Sequence, residues 1–232
     1  MTSPVEIEYK LTKLIKQGKA IIDSDFVELC EWIDKSYNVK TLNIIYDVID
    51  SNPRPRLQII FEWEREQKIF RTDYGYNETL QKEIARQFEI IISKRQQGLK
   101  TKWYNLFDKP KYSATNILIV FGAFETAAKI EANWKVAENE IKQLQEKLKL
   151  NNLWLIYPEM FDSPTFFFFT DKQVEENSKS EMTSFLTSEY FNLLKTFDEF
   201  NYIKRDEFVI KFDSKENFEK SYSSSWYYYD RR

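Results

Sequence analysis

Histidine is absent from the 232 residues, which removes the usual general base near neutral pH and the commonest transition-metal ligand. Cys30 is the only cysteine, so neither an internal disulfide nor a cysteine-based zinc cluster can form. It shares helical spacing with Phe26, Leu29, Ile33 and Tyr37, which predicts a core thiol rather than a nucleophile. There are four glycines (Gly18, Gly75, Gly98 and Gly122), and none is spaced as a phosphate-cradling loop. No apolar run reaches membrane length, and Met1 to Glu8 holds no apolar signal region. The expectation is a cytoplasmic protein with no membrane partner.

Aromatic residues make up 17% of the chain and charged residues 31%, a composition that folds rather than stays disordered. A net charge of -3 and a pI of about 5.4 provide no global field toward nucleic acid or an anionic membrane. Such a balance suits a basic protein partner better.

The chain is organised around 153–170. Two strand-like runs, Leu153 to Tyr157 and Thr165 to Phe169, flank a break at Asp162-Ser163-Pro164, and four consecutive phenylalanines predict a strand covered on both sides. An earlier stretch echoes it: Ile45-Tyr46, then Asp50-Ser51 and Pro53, then the β-forming run Leu57 to Phe61. Helices are expected over 4–18, 24–37, 78–97, 124–150 and 181–200, and strands over 41–49, 56–64, 67–72, 116–121 and 207–213. The 124–150 helix carries a heptad-like seam through Ile130, Trp134, Ala137, Ile141, Leu144 and Leu148. Helix, strands, helix and strand thus occur twice. The fold class read from this order is α+β, as two divergent α-β-β-α-β halves arising by internal duplication, with mixed or antiparallel sheet under long helices. The halves are 1–122, with leading helices, and 123–232, with an aromatic tail.

Three surfaces are candidates for function. Glu62, Glu64 and Glu66 alternate with bulky residues and would share one strand face. Trp226, Tyr227, Tyr228 and Tyr229 supply the residue types enriched at protein interfaces. Lys100, Lys102, Trp103 and Tyr104 lie in a basic, aromatic stretch of the kind that binds single-stranded nucleic acid, although the acidic chain makes nucleic acid the less expected partner.

Helix, three strands, helix and strand in the first half resembles the restriction-endonuclease-like core. That resemblance implies a Mg²⁺-dependent nuclease in which Asp50, Glu66 and Lys68 would act as metal ligands and water-polarising lysine. Ile49 stands where the family often carries proline. A second resemblance lies at the C-terminus. Phe208-Val209-Ile210-Lys211-Phe212-Asp213, followed by Trp226-Tyr227-Tyr228-Tyr229, is similar to the closing segment of YezG-like immunity proteins of bacterial polymorphic toxin systems. It implies a non-enzymatic inhibitor without cofactor or metal, whose partner is another protein such as a toxin or nuclease. The two readings lead in opposite directions, and the binding protein is the one expected here.

Overall fold

The computed structural model describes residues 4–49, 53–100, 111–159, 163–179 and 181–231, with side chains described from residue 8 and, in the 78–100 helix, as far as Arg95. The fold is mixed α+β, and the chain divides into two compact units, Met1–Ala127 and Ala128–Arg232.

In the first unit, α1 (Pro4–Lys16) and α2 (Val27–Tyr37) lead into the hairpin β1 (Thr41–Ile49) and β2 (Arg54–Phe61). A short helix α3 (Glu64–Ile69) follows, then a two-stranded ribbon of β3 (Arg71–Thr72) and β4 (Gly75–Tyr76). The long helix α4 (Glu78–Lys100) and strand β5 (Leu118–Ala123) complete the order, and β5 runs into helix α5 (Phe124–Trp134), within which the first unit ends and the second begins. β2 is central: β1 pairs with it antiparallel and β5 parallel. A parallel return needs a long crossover, and α3 to α4 provide it. Alternation along β2 sends Leu57, Ile59 and Phe61 into a core with Leu29, Cys30 and Ile33 of α2 and Ile84, Phe88 and Ile91 of α4. The Asn77 side chain accepts the Thr79 and Leu80 amides and so starts α4, while Asn38 in the left-handed region ends α2.

The second unit contains α6 (Glu138–Leu148), β6 (Leu153–Tyr157), β7 (Thr165–Phe168), α7 (Asp171–Ser178), α8 (Glu181–Lys195), β8 (Lys211–Ser214), α9 (Lys215–Tyr222) and α10 (Trp226–Tyr229). β7 is central, with β6 antiparallel and β8 parallel. Phe166, Phe167 and Phe168 are all fully buried, as the four-phenylalanine run predicted. Phe166 and Phe168 face Leu186, Tyr190 and Leu194 of α8, whereas Phe167 faces Phe218 and Tyr229. Phe169, one residue past the strand, is exposed.

Several expectations are corrected. β2 ends at Phe61, and 64–69 is helical rather than part of strands over 56–64 and 67–72. The helix expected over 124–150 is two helices, because Ala137 is extended and Trp134 points to solvent while Ala132 and Val136 are buried. Only the Ile141, Leu144 and Leu148 part of the seam is buried. α8 stops at Lys195, where the Asp198 carboxylate captures the amides of Tyr202 and Ile203. The 207–213 strand shortens to Lys211–Ser214. Residues 226–229, whose aromatic side chains favour strands, are helical.

Phe61 stacks on Phe70 at 4.8 Å and on Phe121 at 6.1 Å, joining β2, the end of α3 and β5. Phe61→Ala should therefore cost about 3–5 kcal/mol, read as a lower urea midpoint with an unchanged denaturant slope.

Candidate partner-binding surface

The C-terminal surface is built from the end of β8 onward. The Ser214 hydroxyl caps α9 by accepting the Asn217 amide at 2.8 Å. Ser223 and Ser224 then adopt positive φ and turn the chain back. In the four-residue helix α10, the positions three apart face inward and the two between them face outward. Trp226 stacks on Tyr157 at 4.5 Å and packs on Phe218 at 4.3 Å. Tyr229 is buried, and its hydroxyl donates to Asp213 Oδ2 at 2.8 Å. Tyr157 donates to Asp230 Oδ1 at 2.9 Å, tying down the end of the helix.

Tyr227 and Tyr228 are 58% and 61% exposed. Their rings meet edge-on at 5.5 Å, and the Arg231 guanidinium lies 3.9 Å from the Tyr227 ring centre. Of the four aromatic residues expected at an interface, two thus anchor the helix and two are presented by it.

The expected acidic row does not form. Glu62 is buried and paired with Lys16 at 2.5 Å and Lys40 at 2.7 Å. Glu64 accepts from the Thr126 hydroxyl at 2.7 Å. Glu66 accepts from the Lys40 amide at 3.1 Å and reaches back to the Trp63 amide at 3.0 Å, closing the first turn of α3. Burial pushes the Glu62 carboxyl up, but hydrogen bonds from Lys16 and Lys40 outweigh it and hold the group below its ordinary range.

For the nuclease pattern, Asp50 lies outside the described residues. Glu66 and Lys68 fall two apart on a helix, where they face different directions. Among the described residues, no group of three or more carboxylate or thiol side chains is placed to hold a metal ion. In the basic, aromatic stretch, Lys102, Trp103, Tyr104 and the Lys100 side chain lie outside the described residues. At its two ends, Arg95, Lys111 and the Tyr112 hydroxyl all reach Asp25, at 3.0, 2.7 and 2.9 Å. Hydrogen bonds from Lys111 and then Tyr112 lower the Asp25 carboxyl. Cys30 is buried as expected, and desolvation pushes its thiol up to about 12.

Sequence reasoning missed a polar seam under α1. Glu8, Thr12 and Lys16, four residues apart, turn toward the sheet face opposite the core. Arg56 Nη2 lies 3.3 Å from Glu8 Oε1 and 2.5 Å from Asp47 Oδ2. Gln58 donates to both carboxylates, and Asn43 donates to Thr12 at 3.2 Å. The only local signal is the pair of polar residues Arg56 and Gln58 alternating with Leu57 and Ile59 in β2, with Glu62 just past its end; the α1 partners are distant in sequence. The Arg56 guanidinium sits between the two carboxylates and offsets one of their two negative charges, and the neutral Gln58 amide adds a hydrogen bond to each.

Among the described residues no helix is long and apolar enough to cross a membrane. No family model, curated protein or solved structure matches this chain.

The depressed Glu62 carboxyl contributes stability that is complete above its unfolded-state pKa and lost as pH falls through the lower folded value. Glu62→Gln should cost on the order of 2 kcal/mol at pH 7. That deficit should shrink progressively as pH falls below the ordinary carboxylate range, in paired urea denaturations.

Proposed function

We propose that the chain is a non-enzymatic protein-binding protein that meets its partner through Tyr227, Tyr228 and Arg231. The observation that carries this reading is the division of labour within α10: Trp226 and Tyr229 fix the helix to the body while Tyr227 and Tyr228 stand in solvent. An aromatic pair held in place before contact loses little side-chain freedom on binding, and Tyr and Arg are the residue types that dominate binding hot spots. Arg231 over the Tyr227 ring holds a cation beside the pair and adds a donor for a carboxylate or carbonyl on the partner.

The finer reading is an immunity-type inhibitor acting in the bacterial cytoplasm on a toxin or nuclease. It is supported by the resemblance to YezG-like proteins, which runs through the same segment that forms β8 and α10. The net charge of -3 favours a basic partner at long range, so association should slow as salt rises.

The test is binding to the partner isolated from the source cell, measured by calorimetry with purified components. Tyr227→Ala and Tyr228→Ala should each weaken binding by about 1–2 kcal/mol with the thermal midpoint unchanged. Trp226→Ala should lower the midpoint as well. Unchanged affinity in both tyrosine variants would remove the tip from the interface.

A further inference from the structure

The two units agree well beyond their strand order. In the first, Thr41, Asn43, Ile44 and Ile45 face Phe61, Ile60, Ile59 and Gln58. In the second, Leu153, Leu155, Ile156 and Tyr157 face Phe168, Phe167, Phe166 and Thr165. The same irregularity, one extra residue after the first position, occurs in both edge strands. The parallel partners also coincide: Phe61 with Ala123 and Ile59 with Phe121, against Phe168 with Ser214 and Phe166 with Phe212. Because a slip of one residue turns every side chain to the other face, a match in register and bulge is more demanding than a match in topology.

The connections match too. Each central strand is followed after two residues by a short helix, α3 or α7, whose third residue reaches back to the amide before its start: Glu66 to Trp63, Gln173 to Thr170. Each third strand runs directly into a helix, α5 or α9. The second residue of that helix binds the central-strand exit twice. Its amide donates to the carbonyl just past the strand, Glu125 to Glu62 at 3.1 Å and Glu216 to Phe169 at 3.3 Å. Its carboxylate accepts the first amide of the short helix, that of Glu64 at 3.1 Å and that of Asp171 at 3.2 Å. A carboxylate is suited to this place because it satisfies a free helix-start amide and faces the positive end of the dipole.

We propose that the two units are divergent copies of one α-β-β-α-α-β-α module, in which Glu125 and Glu216 are equivalent positioning residues. The echo of Ile45-Tyr46 in Ile156-Tyr157 lies one residue out of this register, so the pairing rests on backbone and hydrogen bonds rather than on those letters. The copies differ most on the sheet face away from the core. The first fills it with the polar seam under α1; the second fills it with Trp154, Phe167, Phe218 and Tyr229 under α9 and α10.

The test uses the full chain and amide hydrogen exchange read by NMR. Glu125→Ala should reduce protection of the Glu64 amide by about tenfold and leave Asp171 unchanged; Glu216→Ala should do the converse to a similar degree. Glu125→Gln and Glu216→Gln retain an acceptor and should restore most of the protection, separating the contact from general loosening. The proposal is overturned if either alanine variant leaves its own helix-start amide as protected as before. It is equally overturned by an experimental structure in which β8 pairs with β7 out of the register of β5 with β2.

Discussion

The parallel return of the third strand is the constraint from which the rest of each unit follows. β5 and β8 must reach the central strand from the same end as it began, and only a crossover of helical length allows that. The crossover helices α4 and α8 therefore cover one sheet face and bury the aliphatic and aromatic side chains there. The other face is left for segments from outside the hairpin and crossover, and the two units cover it with opposite chemistry. Under α1 the contact is made by Glu8, Thr12 and Lys16 with Arg56, Asn43 and Glu62; under α9 and α10 it is made by stacked rings. A three-stranded sheet also leaves two edges. β5 is closed by side chains, since the Ile119 carbonyl accepts from Gln81 and the Phe121 carbonyl from Gln67 and Tyr76. That arrangement denies the edge to a foreign strand.

The proposed binding function rests on the aromatic cover rather than on the polar one. In the polar seam each carboxylate is matched by a lysine, an arginine or an amide. In the aromatic cover, Trp226 and Tyr229 lie three residues apart on the face that docks on the body, which leaves the intervening Tyr227 and Tyr228 turned outward. The exposed pair is thus a geometric consequence of how α10 is anchored.

Much of this was legible in the chain. The spacing of Leu29, Cys30 and Ile33, and that of Ile84, Phe88 and Ile91, marks α2 and α4, and the apolar runs mark β1, β2 and the β6–β7 hairpin. What failed to read were places where a distant group decides. Glu62 to Glu66 alternates like a strand, yet Glu66 turns back to Trp63 and the Lys40 amide, and a helix forms. No glycine or proline marks the break between α5 and α6; the burial of Ala132 and Val136 sets it. Trp226 to Tyr229 has strand-forming residues, but docking on Tyr157 and Phe218 decides for helix. The sequence reading also missed α7, although the Thr170 and Gln173 capping pair at its start is a local signal that could have found it.

Photocrosslinking in the native cell addresses the central claim most directly. A photoreactive phenylalanine analogue placed at 227 should yield one discrete covalent adduct with the partner, and the same analogue at the fully exposed Tyr74 should yield none. No adduct from 227, or equal adduct from both positions, would contradict a binding surface at the C-terminal helix.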